Sequence, residues 1–289
     1  MLPDSLQREI ADKLDASIES ATRVSGGSIN EAAKLDIEKI GPAFLKWNRT
    51  ADPDMFEKEV TGLKLLRDAE TGLRVPDVIL QGTVDGNTGY LLLEFIEDGR
   101  PGIQSAQEFG EQLAALHDHH GDSYGLDEDN YIGRLPQSNN RHNDWTNFFI
   151  DERMEPQLRM ALESGKFRSS ITGAFNNMYR ELDEIFPEER PSLLHGDLWG
   201  GNYFYDTDGG PVIYDPAVYY GHREIELAFT HLFGGFSSAF YEAYDNVLPI
   251  EPGFGQRKEI YNLYPLLVHT NLFGGSYARQ VEGIVKQFE

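Results

Sequence analysis

An aspartate following His195-Gly196, an asparagine five residues later and a second aspartate beyond a Gly-Gly turn set the chemistry this chain is equipped for. Asp197, Asn202 and Asp215 fall in the stretch LLHGDLWGGNYFYDTDGGPVIYDPAVYYGHRE, where short apolar runs alternate with glycine turns, so all three belong on loops beside short strands. Transfer of a phosphoryl group needs a carboxylate facing the acceptor hydroxyl. It also needs oxygen ligands for a Mg²⁺ ion that bridges and neutralises nucleotide phosphates. Asp197 suits the first task, Asn202 and Asp215 the second. The chain has no cysteine, which costs a hard-cation site nothing, because thiolates suit softer metals. Alone, an HGD tripeptide also reads as a tight turn at a strand end closed by an Asx hydrogen bond; Asp215 downstream weighs against that reading.

Such loops must be carried by one body and met by a nucleotide held on another. At 289 residues and 32.7 kDa the chain has room for two lobes with a cleft between them. Leu2, Leu6, Ile10, Leu14 and Ile18 recur every four residues and predict one amphipathic helix over residues 1–20. TRVSGGSINEAAKLDI and AFLKWN predict three strands with a glycine turn between the first two. Asp52-Pro53-Asp54 starts a helix bearing Glu57 and Glu59, and VPDVILQGTVDGNTGYLLLEF supplies two more strands around an Asp-Gly-Asn turn. The boundary falls in the acid-flanked linker near Glu97, giving an N-terminal lobe of residues 1–97 and a C-terminal lobe of residues 98–289. Beyond Ser105 the periodicity is mostly helical except in the HGD region.

Composition excludes several classes. Hydrophobic residues at 40% and charged residues at 25% belong to globular chains, not to disordered or fibrous ones. No apolar run approaches the roughly 20 residues of a membrane span, and the charged opening MLPDSLQREIADKLD lacks a secretory core, so a cytoplasmic location is expected. With 25 basic against 48 acidic side chains, a net charge of −23 repels a phosphate backbone and argues against nucleic acid. That acidity fits a salty cytoplasm and ordinary solubility equally well. No exposed apolar seam marks an oligomer interface, so oligomeric state stays open.

The spacing H-G-D-x-x-x-x-N resembles the catalytic loop of the aminoglycoside and choline kinases. LLHGDLWGGN, DPAVYYGHREIELAFTHLFGGF, DNYIGRLPQSNN with NDWTNFFIDERMEPQL, and NLFGGSY resemble the fructosamine kinase family more specifically. This resemblance implies an α+β, protein-kinase-like bilobal fold with an antiparallel sheet plus helices in the first lobe. It also implies ATP and Mg²⁺ as cofactors, and ketosamines, the rearranged glycation products of amines and lysines, as substrates. The rivals are a kinase of the aminoglycoside or choline type, and a nucleotide-binding pseudokinase. The intact set Lys46, Asp197, Asn202 and Asp215 argues against the latter.

Other positions fill in around this frame. Alternation in FLKWN puts Phe44, Lys46 and Asn48 on one strand face, from which a lysine reaches nucleotide phosphates. The resemblance implies an ion pair from Lys46 to Glu59, with Glu57 in reserve. Gly26, Gly27 and Ser28 form a turn whose backbone N–H groups would cover phosphates; Ser28 stands where many family members carry a cysteine linked to redox control, so that control should be missing. Glu94, Phe95 and Ile96 occupy the position of an adenine-binding hinge. Trp199 offers a flat face to the C–H side of a sugar, and His222, Arg223 and His269 are acceptor-side candidates or, equally, buried structural residues. His117, His119 and His120 invite a metal reading, against which His117 fits better as a hydrogen-bonding core residue. Glu226 falls where related kinases brace the catalytic loop with aspartate, and its longer side chain leaves that role open.

Overall fold

The computed structural model describes residues 2–24, 30–50, 52 and 54–289. Helix α1 (Asp4–Leu14) opens the chain, followed by β1 (Ile18–Val24), β2 (Glu31–Ile37), β3 (Gly41–Asn48), α2 (Met55–Asp68), β4 (Val78–Val84) and β5 (Thr88–Glu94). The five strands form one antiparallel sheet in the order β1-β2-β3-β5-β4. The predicted first helix is therefore too long by several residues. Asp15 adopts a left-handed conformation (φ 47°) that ends α1, and Ile18, which continues the apolar spacing, pairs with Ile37 in the sheet instead.

Alternation along β3 and β5 gives the sheet two working faces. Ala43, Leu45, Trp47, Tyr90 and Leu92 pack with Leu6 and Ile10 of α1 in one apolar cluster. Leu91 and Leu93 point the other way, into a cluster with Phe56, Val60, Leu63 and Leu66 of α2. Lys46 shares that second face, as the two-residue period of a strand requires.

The rest of the chain is mostly helical. It comprises α3 (Ile103–His117), β6 (Asn130–Ile132), β7 (Leu135–Gln137), α4 (Trp145–Phe148), a π-helical turn (Phe149–Met154), α5 (Glu155–Glu163) and α6 (Ile171–Ile185). The short strands β8 (Ser192–Leu194), β9 (Tyr203–Tyr205), β10 (Pro211–Ile213) and β11 (Tyr219–Gly221) come next. Helices α7 (Arg223–Leu232), α8 (Ser238–Val247), α9 (Phe254–Tyr261), α10 (Leu263–Phe273) and α11 (Ser276–Val285) finish it. The second apolar cluster does not stop at the linker: Phe109 and Leu113 of α3, Leu198, Ile213 and Phe240 belong to it too. The two lobes thus share a core at the back of the cleft. Arg74 adds a polar tie there, pairing with Glu94 at the end of β5 and with Asp206 in the β9–β10 turn, each at 2.7 Å. Its backbone also bonds Pro211 and Ile213 of β10.

Candidate active site

Strand β8 delivers His195-Gly196-Asp197 to the floor of a cleft of about 900 Å³, lined from above by Phe44, Lys46 and Glu59 and from below by Asp197, Asn202 and Asp215. The loop is stitched on several sides. Gly196 has φ +83°, and a side chain there would lie 2.0 Å from the carbonyl oxygen of Ala217, so only glycine lets the loop lie against the 215–218 segment. The buried His195 ring donates from Nε2 to the carbonyl of Tyr214 (2.9 Å) and accepts the Asp197 N–H at Nδ1 (3.3 Å). Its carbonyl accepts from Ala217 N (2.9 Å), tying the catalytic loop to the segment that carries Asp215.

Glu226 of α7 closes the assembly from below. Its carboxylate accepts the Gly196 N–H at 2.7 Å and the His195 N–H at 3.3 Å, and His117 at the end of α3 donates to it at 2.9 Å. Burial alone would raise the Glu226 pKa, but His117, His195 and the Gly196 amide together hold it below its ordinary value. His117 is kept neutral by its own burial and accepts the Tyr244 hydroxyl at 2.7 Å. Thus glutamate does brace the loop, with its extra methylene absorbed within the helix-to-loop span, and His117 serves the core. Among the described residues no group of three or more His, Asp or Glu is placed to hold a metal, so the histidine-triplet metal site is absent there.

Asp197 and Asn202 are set against each other. The Asn202 amide nitrogen donates to the Asp197 carbonyl (2.8 Å) and carboxylate (2.9 Å). This fixes the amide so that its N–H side faces Asp197 and its carbonyl oxygen is left for another partner. Burial, and next the nearby Asp215 carboxylate, raise the Asp197 pKa well above the usual carboxylate range, against the opposing Asn202 bond. A proton-seeking carboxyl is what a base beside a hydroxyl requires. Asp215 itself sits in a left-handed conformation (φ 56°), an uncommon backbone state for a residue with a side chain.

Across the cleft, Lys46 bonds both Glu59 of α2 and Asp215. Burial disfavours its charge, but Asp215 and Glu59 outweigh that and keep its pKa above the ordinary value. Burial likewise pushes Glu59 up to about 7, with Lys46 pulling down and Asp215 pushing further up. Glu59, not Glu57, is the partner, because Glu57, two residues earlier, is on the opposite, exposed side of α2.

The remaining expected residues divide. Glu94, Phe95 and Ile96 line the cleft at the hinge, and Lys34 of β2 lies 4.2 Å over the Phe95 ring. Trp199 lines the cleft too, its ring laid over Gly201, where a side chain would come within 2.3 Å of it. His269 of α10 joins it beside Asp197. Gly26, Gly27 and Ser28 lie outside the described residues. His222 and Arg223 do not line the cleft, a correction to their acceptor-side placing. His222 is buried, stacked 4.6 Å from Trp145 and bonded to Tyr261 at 3.0 Å. Arg223 bonds Glu189 (3.0 Å) and the carbonyls of Leu248 (2.8 Å) and Pro249 (2.6 Å). Their place at the start of α7 turns them inward, away from the loop that Glu226 braces one turn later. Sequence reasoning gave no role to His195 beyond the tripeptide, and missed Arg74 altogether; neither side chain carries a local signal of its partners.

A two-lobed cleft with a lysine–glutamate pair above, and an aspartate, asparagine and second aspartate below, defines an ATP-dependent phosphotransferase of the protein-kinase-like fold. The solved aminoglycoside phosphotransferase APH(4)-Ia, in ternary complex with AMP-PNP and hygromycin B, shares that fold at a TM-score of 0.65 and 16% identity over 98% of each chain. The fructosamine kinase family model matches residues 3–288. The chain is 40% identical over 273 residues to the "Probable ketoamine kinase" of Lactiplantibacillus plantarum, covering 94% of this chain and 95% of that one. It is 36% identical to the chloroplastic protein-ribulosamine 3-kinase of Arabidopsis thaliana, covering 92% and 81%. A crystal structure from Haemophilus somnus 129PT, assigned as a fructosamine-3-kinase, superposes at a TM-score of 0.88 with 30% identity over 98% and 96% of the two chains. The chain belongs to the fructosamine kinase family.

Proposed function

We propose that the protein transfers the γ-phosphoryl group of ATP to a sugar hydroxyl of a ketosamine, free or carried on a protein, and so acts in the repair of glycated amines. Asp197 carries this reading: its carboxyl lies on the cleft floor, oriented by Asn202 and set on a loop that Glu226 clamps by its amides. Asp197 orients the acceptor hydroxyl and takes its proton. Because the transition state of phosphoryl transfer is loose, alignment and charge neutralisation carry most of the acceleration. Lys46, held by Glu59, meets the nucleotide phosphates, and the hinge from Glu94 to Ile96 meets the base.

The donor set fits Mg²⁺. The Asp215 carboxylate and the Asn202 amide oxygen are hard ligands, and two protein donors suit an ion that takes its other ligands from phosphates and water. Bound there, Mg²⁺ would neutralise the charge on the transferring phosphate. Asp215 and Asn202 are the residues that would hold it.

The division into residues 1–97 and 98–289 is supported by the irregular segment 95–102 between β5 and α3, where Phe95, Ile96 and Asp98 line the cleft. No helix among the described residues is long and apolar enough to cross a membrane. A kinase that consumes Mg·ATP works where that pool is kept, which supports a cytoplasmic location.

The test is Mg·ATP consumption, with mass spectrometry of the product, against fructosyl-lysine, ribulosyl-lysine, choline and kanamycin. Phosphorylation of the ketosamines is expected. Turnover confined to choline or kanamycin would transfer the assignment to the aminoglycoside and choline type, and Mg·ATP binding without transfer to any acceptor would mark a pseudokinase.

A further inference from the structure

Beside Asp197 the cleft wall changes character. Trp199, Phe233, His269, Phe273 and Tyr277 line it together, and the His269 ring is surrounded: Phe233 lies 4.8 Å from it, Tyr277 5.0 Å and Phe273 5.6 Å between centroids. Phe233 and Phe273 remain 37% and 54% exposed, an apolar wall of the kind found at ligand-binding grooves. Within this recess the imidazole presents a polar edge. The His269 Nδ1–H donates to the Pro265 carbonyl at 2.8 Å, which fixes the tautomer and leaves Nε2 as a lone-pair acceptor. Among the described residues no donor reaches Nε2. Burial keeps the imidazole neutral by lowering its pKa.

Aromatic faces around an imidazole acceptor, with the Asp197 carboxylate beside them, match one ligand chemistry, an ammonium group on an aliphatic stem. The ring quadrupoles attract the positive charge, Nε2 accepts one of its N–H bonds, and the exposed faces cover the stem. A ketosamine has such a group a few bonds from its sugar hydroxyls: the secondary amine at C1, protonated at neutral pH, continuing into the lysine chain. We propose that the recess of Phe233, His269, Phe273 and Tyr277 is the subsite for the amine nitrogen and its aliphatic arm. It selects sugars joined to an amine over sugars that are not. This rests on the ketosamine reading above and goes further by saying which part of the acceptor is recognised, and by what.

The experiment compares fructosyl-lysine with its ether analogue, in which oxygen replaces the C1 amine nitrogen, at saturating Mg·ATP. The unmodified protein should favour the amine by about tenfold or more in kcat/KM, the size of one desolvated cation–π contact together with a hydrogen bond to a charged group. His269→Leu and Tyr277→Leu should each lower kcat/KM for the amine by about fivefold to tenfold, with a clearly smaller fall for the ether analogue, which keeps the stem but lacks the charge, and with the KM for ATP unchanged. His269→Gln, whose amide oxygen restores an acceptor, should recover most of the loss. Tyr277 is at the half-exposed rim, so its variant keeps the test available if the His269 variants lose their thermal transition. Equal use of both acceptors by the unmodified protein, or a parallel fall for both in the variants, would overturn the subsite while leaving the kinase in place. Failure of the unmodified protein on every ketosamine, with transfer to another acceptor, would instead overturn the reading beneath it.

Discussion

Two groups of charged residues lie on either side of α7, built from the same residue types and meeting opposite fates. Behind the helix, Arg257 makes a bidentate pair with Glu224 at 2.6 Å on both arms and caps the carbonyls of Glu251 and Pro252. Arg223 with Glu189 and His222 with Tyr261 are similarly settled among themselves. In the cleft, Lys46 bonds both Asp215 and Glu59, Asp197 stands near Asp215 without a cation of its own among the described residues, and both Asp197 and Glu59 are pushed toward the protonated form. The first group gives each carboxylate a guanidinium of its own, although burial still raises Glu189; the second calls for ligands that neutralise carboxylates. Buried charge that is complete without a ligand is scaffold, and buried charge of one predominant sign facing a cleft is a site.

Substitutions should separate the two groups. The largest effect is expected from Asp215→Ala: removal of a charge-neutralising ligand should lower kcat by about a thousandfold with the melting temperature unchanged or raised, since a crowded carboxylate is gone. A large loss of stability with retained turnover would move Asp215 into the scaffold. Glu224→Ala should do the reverse, leaving Arg257 buried and unpaired at a cost of about 3–5 kcal/mol. Denaturant unfolding would register that loss while kcat at low temperature stayed near normal.

Glu226 stands between the groups, and Glu226→Gln sharpens the boundary. Loss of a charged acceptor for two amides should cost about 2 kcal/mol, appearing as roughly a thirtyfold fall in kcat with the KM for ATP unchanged; an effect on stability alone would remove its positioning role. The smallest effect belongs to Glu189, whose carboxyl is pushed up to about 7 by burial despite Arg223. Its folded pKa exceeds its ordinary value of 4.5, so the unfolded chain loses this proton first as pH rises. Its contribution to stability is full below about 4.5 and lost through about 7. Melting temperatures measured from pH 4.5 to pH 8 should fall less steeply in Glu189→Gln; parallel curves would contradict the shift.

The cleft was largely legible in the sequence because its residues are tied to short-range rules. Gly196 fixes the loop, four residues separate Asp197 from Asn202, and strand alternation turns Lys46 toward Leu91 and Leu93. The sheet followed from its turns, and α1 was overextended because Ile18 satisfies helical and sheet spacing alike. The scaffold was not legible. Arg257 meets Glu224 across 33 residues and Arg74 meets Asp206 across 132, and no local pattern announces such partners. For the same reason the sequence leaves His222 and Arg223 open between acceptor-side and buried structural roles, and their helix carries them inward.

The most direct test of the account is Asp197→Asn, examined for Mg·ATP affinity and for single-turnover phosphorylation of fructosyl-lysine. Unaltered nucleotide affinity with transfer slowed by about 10²- to 10⁴-fold is predicted. Normal transfer in this variant would contradict the assignment of Asp197 as the base, and with it the arrangement proposed around the cleft floor.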